Sequence, residues 1–141
     1  MTIALDSSVI VAALLSWHEK HHAAAKAVER ALASKGGVVI PAHALFESFA
    51  VMTRLPAPHR LAPSDALTLL RDNFTSTRIA TLTARNVWPI LQKLAQLGLA
   101  GGLTYDAIIL EAATDGGATE LLTLSERDYE RLEPRLRVIG V

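Results

Sequence analysis

The chain has 141 residues and a mass of 15.2 kDa, half of them hydrophobic and a fifth charged, which supplies a core for one domain and excludes disorder by composition. Fourteen basic residues balance fourteen acidic ones, so no global charge draws the chain to nucleic acid or an anionic membrane, and an anionic partner needs a local basic patch. The absence of cysteine excludes disulfides, thiolate zinc sites and cysteine nucleophiles.

In chain order, Thr2–Leu5 reads as a first strand and Ser7–Leu15 as a short helix. Met1–Asp6 has no basic leader and carries a carboxylate where a signal peptide would be apolar. No apolar run reaches the roughly 18–20 residues of a membrane span, so the expectation is a soluble cytoplasmic protein. His18–Ala33 is an Ala-rich helix with Ala24, Ala27, Val28, Ala31 and Leu32 on one face. A second strand, Gly37–Ile40, leads into a helix over Pro41–Arg54, whose proline is tolerated in a first turn. The Pro-rich break Leu55–Arg60 is too short to separate domains, so residues 1–141 read as a single domain. Pro63–Phe74 is a helix with Ser64 as its expected cap. A strand at Arg78–Leu82 and a helix at Thr83–Leu97 follow, the helix capped by Thr83 and stopped by Gly98. The helix Thr104–Thr114 ends at Gly116-Gly117. The strand Glu120–Leu124, the charged helix Ser125–Leu132 and the strand Leu136–Val141 close the chain. Strands that alternate with helices predict an α/β fold with a mostly parallel central sheet flanked by helices, and ligands then bind at the C-terminal edge of the strands.

Isolated carboxylates point to the chemistry. Asp6 is the only charge in the first eighteen residues, counting His as neutral, and it follows the first strand. It reads equally as a helix cap. Glu47 is the only charge between Pro41 and Thr53, on a helix apolar nearly all round, where a carboxylate is costly unless it is paired or binds a metal. The plainer reading puts it on a solvated strip beside His43 or Arg54. Asp106 is the only charge from Gly101 to Leu110, where a helix N-terminus would also favour it. Asp128 lies in a polar stretch after the fourth strand, three residues beyond Ser125 in an arrangement that resembles a capping box. Brought to one edge, these carboxylates would repel one another, and a hard divalent cation such as Mg²⁺ resolves that conflict and suits phosphodiester hydrolysis. The sequence has no Gly-rich phosphate loop, no GxSxG elbow and no HExxH, and His21-His22 reads as a solvated helix end.

The same residues carry a family likeness. Leu5-Asp6-Ser7-Ser8-Val9-Ile10-Val11, Leu45-Phe46-Glu47-Ser48-Phe49, Thr104-Tyr105-Asp106-Ala107-Ile108-Ile109 and Leu121-Leu122-Thr123-Leu124-Ser125-Glu126-Arg127-Asp128-Tyr129 resemble, in order, the acidic elements of PIN domains. Their spacing and the chain length look most like VapC-type toxins of toxin–antitoxin pairs. The resemblance implies a Mg²⁺- or Mn²⁺-dependent endoribonuclease that leaves 3′-hydroxyl and 5′-phosphate ends. It implies Asp6, Glu47, Asp106 and Asp128 as catalytic and metal-binding residues, a homodimer, and a small cognate antitoxin protein as partner. The last motif departs from the pattern, with Ser125 where some members have Asp or Asn. Ser8 and Thr104 are expected to hydrogen-bond the carboxylates. Arg54, Arg60, Arg127, Arg131, Arg135 and Arg137 are candidates to meet RNA, although the last four can instead pair with Glu126, Glu130 and Glu133. The rivals are a catalytically weak PIN-like scaffold that binds RNA or a protein, and a metal phosphatase or flap nuclease that uses the same acids.

Overall fold

The computed structural model describes residues 1–141. Its strands are β1 (Ile3–Leu5), β2 (Val38–Pro41), β3 (Arg78–Ala80), β4 (Glu120–Thr123) and β5 (Arg137–Gly140). They form one five-stranded sheet in the order β3-β2-β1-β4-β5. Every neighbouring pair is parallel, so the sheet expected to be mostly parallel is wholly so. Parallel strands are buried on both faces, which is why β2 reads as an unbroken apolar run and is buried along its length.

Helices fill the crossovers that parallel pairing requires. They are α1 (Ser7–Leu14), α2 (His21–Ala33), α3 (Ala42–Arg54), α4 (Pro63–Phe74), α5 (Val87–Leu97), α6 (Leu103–Asp115) and α7 (Glu126–Glu130). One cluster of 29 buried hydrophobic residues runs through sheet and helices, with Ala4, Leu5, Ile40 and Leu121 at its centre. No helix is long and apolar enough to cross a membrane.

Several boundaries differ from the sequence reading. α2 starts at His21, because His18 closes a turn between the Leu15 carbonyl and the His21 N–H. Ser64 does not cap α4: Pro63 takes the first helical position, where a missing N–H leaves no bond unmade, and Ala62 stands at the cap. Thr83 does cap, but it caps a 3₁₀ turn (Ala84–Asn86) that leads into α5, through reciprocal bonds with Asn86. Gly98 ends α5 in the left-handed region, with φ 67°. Leu32 turns outward, while Ala24, Val28 and Ala31 bury the inner stripe of α2.

α3 is not buried all round. Phe46 is 72% exposed, and only Ala44, Ser48 and Met52 are fully enclosed. The outer apolar face of α3 lines an open groove of about 480 Å³, shared with Leu67, Leu70 and Phe74 of α4 and Ile79 of β3. Glu47 therefore lies on a half-exposed strip between a core face and a groove face, not inside an apolar shell.

The chain order places the site. The strands step outward from β1 to β2 to β3, then return to β4 on the other side of β1. The winding reverses between β1 and β4, and a crevice opens at the carboxyl ends of those two strands. Leu5 pairs with Leu122, so the next residue of each strand, Asp6 and Thr123, meet at the mouth of that crevice.

Candidate active site

Asp6 follows β1 and caps α1, so the reading of it as a helix cap holds. Its carboxylate accepts from the Val9 N–H at 3.2 Å, which satisfies one orphan donor of the helix. It is buried, and three donors hold it: the Val9 N–H, the Ser8 hydroxyl at 2.6 Å on Oδ1, and the Thr123 hydroxyl at 2.6 Å on Oδ2. The direction of the two hydroxyl bonds is fixed by what lies behind them. Ser8 Oγ accepts from the Leu124 N–H at 2.9 Å, and Thr123 Oγ1 accepts from the Ser125 N–H at 2.8 Å. Each hydroxyl proton is thereby turned toward Asp6. Burial pushes the Asp6 carboxyl up from its ordinary value, and these hydrogen bonds pull it partly back.

Glu47 is half-exposed on α3. It accepts from the Ser7 hydroxyl and lies 3.8 Å from His43 Nε2 one turn earlier. Asp106 occupies the first turn of α6. No hydrogen-bond donor of the chain closes on its carboxylate. Burial, followed by the charges of Asp6, Glu47 and Asp128, raises its pKa to about 6. Asp128 lies on α7, exposed to solvent, yet within the same field. The four sequence candidates thus share one electrostatic site around Asp106.

The buried Tyr129 side chain, beside Asp128, closes the floor. Its hydroxyl has no hydrogen-bond partner and faces Asp6 and Asp106, and burial and those carboxylates push its pKa far above the ordinary phenol value. Ser7, Thr123 and Tyr129 were not singled out by the sequence reading. The one available signal was position, since each lies within a turn or two of an acid at the end of a strand. Thr104, expected beside the carboxylates, has no side-chain bond to any of them, and its N–H serves the Gly101 carbonyl. Ser125 makes no side-chain cap bond either; the Asp128 and Tyr129 N–H groups donate to its backbone carbonyl instead.

The basic residues separate into two groups. Arg137 lies at the amino end of β5, opposite Glu120, and pairs with it at 3.5 Å. That is the far edge of the sheet from Asp6, so Arg137 does not flank the site. Arg135 pairs with Glu111 of α6 at 3.5 Å. Both arginines are thus paired, but with α6 and β4 and not with the glutamates of their own segment. Arg60 donates to the Leu55 carbonyl and holds the Pro-rich loop, and Arg54 lies two turns beyond Glu47 on α3. Arg127, on α7, and Arg131, at its C-terminal cap, make no ion pair and remain the cations nearest the acids in sequence.

No three of these carboxyl groups, alone or with a histidine, stand close enough together to grip one ion by themselves. Mg²⁺ does not require that, because it keeps several waters and takes only one or two carboxylates. The donor set is hard oxygen. One lone pair of Asp6 Oδ2 and the whole Asp106 carboxylate are free of protein donors. A carboxyl raised to about 6 by burial and then by neighbouring carboxylates is a group that a cation relieves. The residues present therefore fit a divalent cation.

Comparison with known proteins agrees with this reading. A profile described as the PIN domain matches residues 3–133. Ribonuclease VapC40 of Mycobacterium tuberculosis (strain H37Rv) is 43% identical over 136 residues, which is 96% of this chain and 95% of that protein. Ribonuclease VapC27 of the same strain is 35% identical over 131 residues, covering 93% and 90% respectively. The crystal structure of VapBC2 from Rickettsia felis, bound to a DNA fragment from their promoter, superposes with a TM-score of 0.71 at 18% identity, over 100% of this chain and 99% of that one. At that identity the superposition speaks for the fold alone, a parallel sheet wound as this one is. On the length of the matches and the identity to the two ribonucleases, the chain belongs to the PIN domain family, on the branch that holds the VapC ribonucleases.

Proposed function

We propose that the chain is a divalent-metal-dependent endoribonuclease, the toxin of a toxin–antitoxin pair. The observation that carries this reading is Asp106, raised to about 6 among Asp6, Glu47 and Asp128 at the crevice between β1 and β4. Such a gathering of negative charge is relieved by a cation, and the ribonuclease relatives supply the substrate class. Mg²⁺ or Mn²⁺ bound there contributes a more acidic water and charge against the phosphoryl oxygens. The residues of the chain do the rest. Asp6, fixed by its three donors, and Asp106, free of any, would hold the ion, and Glu47 and Asp128 act through water or as bases at the rim. Ser7 restrains Glu47, and Thr123 and Ser8 restrain Asp6. Arg127 and Arg131 offset the repulsion between these acids and an RNA backbone. A cognate antitoxin masks the site in this reading, which the likeness to VapC proteins supports. The exposed Phe46 and Trp88 supply apolar surface for that partner or for a homodimer.

The test is cleavage of total cellular RNA by the purified chain, with Mg²⁺, with chelator and as Asp6→Asn, with new 5′ ends mapped. Discrete ends that require both Mg²⁺ and Asp6 are expected. Ends that persist in chelator or in the variant would reject the reading. If RNA is bound without cleavage and without regard to metal, the scaffold alternative replaces it. Preference for flap DNA or a small phosphate ester over RNA would replace the substrate class.

A further inference from the structure

Two groups at the centre of the site are unmatched, and they complement each other. The Tyr129 hydroxyl is a donor, fully buried, with no partner. The Asp106 carboxylate is a half-buried acceptor with no donor, and Tyr129 faces it. Leaving a buried hydroxyl unpaired costs stability, and the simplest repair for a packing position is phenylalanine. The chain keeps the hydroxyl. Tyr129 lies beside Asp6 as well, but three donors already occupy three of the four lone pairs of that carboxylate, and Asp106 has no donor.

We propose that Tyr129 is a positioning residue of the acidic site, whose hydroxyl donates to one oxygen of Asp106 when a cation is bound and turns the other oxygen toward Asp6. Tyr129 already lies near enough to Asp106 to act on its carboxyl. Asp6 and Asp106 would then be restrained by the same device, a hydroxyl proton aimed from the β4–α7 side: Thr123 for the first and Tyr129 for the second. This extends the metal-dependent reading given above and rests on it.

The test is Mn²⁺ affinity, measured by titration calorimetry on the full chain as wild type, Tyr129→Phe and Asp6→Asn, with thermal melts in chelator. Loss of an outer partner of a metal ligand typically weakens metal binding by about 10- to 100-fold. Tyr129→Phe is therefore expected to raise the Mn²⁺ Kd by at least tenfold and to leave the metal-free melt unchanged or higher, because it removes an unpaired buried hydroxyl. A merely structural tyrosine predicts the reverse: an unchanged Kd, or a loss of affinity matched by a loss of folded protein. Either result overturns the proposal. Wild type that binds no Mn²⁺ overturns the metal-dependent reading along with it. Wild-type binding that depends on Asp6 but not on Tyr129 overturns the role of Tyr129 alone.

Discussion

At the scale of single residues, the site depends on hydroxyls whose protons have been given a direction. Thr123 is the clearest of them, fully buried, accepting from a backbone N–H and therefore committed to donate to Asp6. Thr123→Val keeps the shape and removes that bond. It leaves a buried carboxylate short of one donor, so a destabilisation of about 1–3 kcal/mol is expected, together with loss of RNA cleavage. Urea denaturation beside the cleavage assay checks both, and a variant of wild-type stability would show that the bond is idle. Asp6, Glu47 and Asp106 stood out in the sequence, each a lone charge in an apolar stretch, whereas Asp128 lies among other charges. Thr123 and Tyr129 did not stand out, because a threonine in a strand and an aromatic on a short helix look like ordinary packing residues until β4 is known to lie beside β1.

Among the elements, α3 and α6 carry two of the acids into the crevice. They are joined beside the site by His43 and Tyr105, whose rings stack with centroids 5.2 Å apart and planes within 1°. His43 is one turn from Glu47, and Tyr105 adjoins Asp106, so the stack fixes the two helices at the level of the carboxylates. Tyr105 is still half exposed, which leaves an outer ring face free for an unpaired base. Base–aromatic stacking is worth about 1–3 kcal/mol per base, so Tyr105→Ala is expected to weaken single-stranded RNA binding by roughly 5- to 100-fold without changing the Mn²⁺ Kd. Fluorescence anisotropy with a labelled oligonucleotide reads the first quantity and calorimetry the second. Unchanged RNA affinity would remove the ring from the binding surface. The elements themselves were well marked in the sequence, each of the five strands and seven helices overlapping a predicted segment of its own kind. Their ends were less so: whether Pro63 or Ser64 begins α4, and whether His18 or His21 begins α2, depends on local hydrogen bonds that periodicity does not encode.

For the molecule as a whole, the site makes stability depend on protons and cations together. Asp6 and Asp106 both have folded-state pKa values above those of the unfolded chain. Between the ordinary carboxylate value, about 4, and about 6, the unfolded chain has released protons that the folded protein still holds. The folded state binds more protons in that window, so this contribution to stability is full at the acid end and declines as pH rises through it. Asp106→Asn removes the Asp106 share. In chelator, its melting temperature is expected to exceed that of wild type by a margin that widens from pH 4 to pH 7, as scanning fluorimetry across pH would read. A margin that is flat with pH would mean that the carboxyl is not held up. Millimolar Mg²⁺ is expected to raise the wild-type melt at pH 7 by mass action and to narrow that margin.

The bond from Thr123 to Asp6 spans 117 positions of the chain and closes only when β4 has docked against β1. During synthesis, β1, α1 and the Glu47 helix emerge well before β4, the strand that completes the crevice. Long-range parallel pairing is also among the slower steps of folding. A nascent chain that has not yet reached β4 therefore lacks the finished crevice. A premature stop before β4 is expected to leave Asp6 without its Thr123 donor and the acidic site unformed.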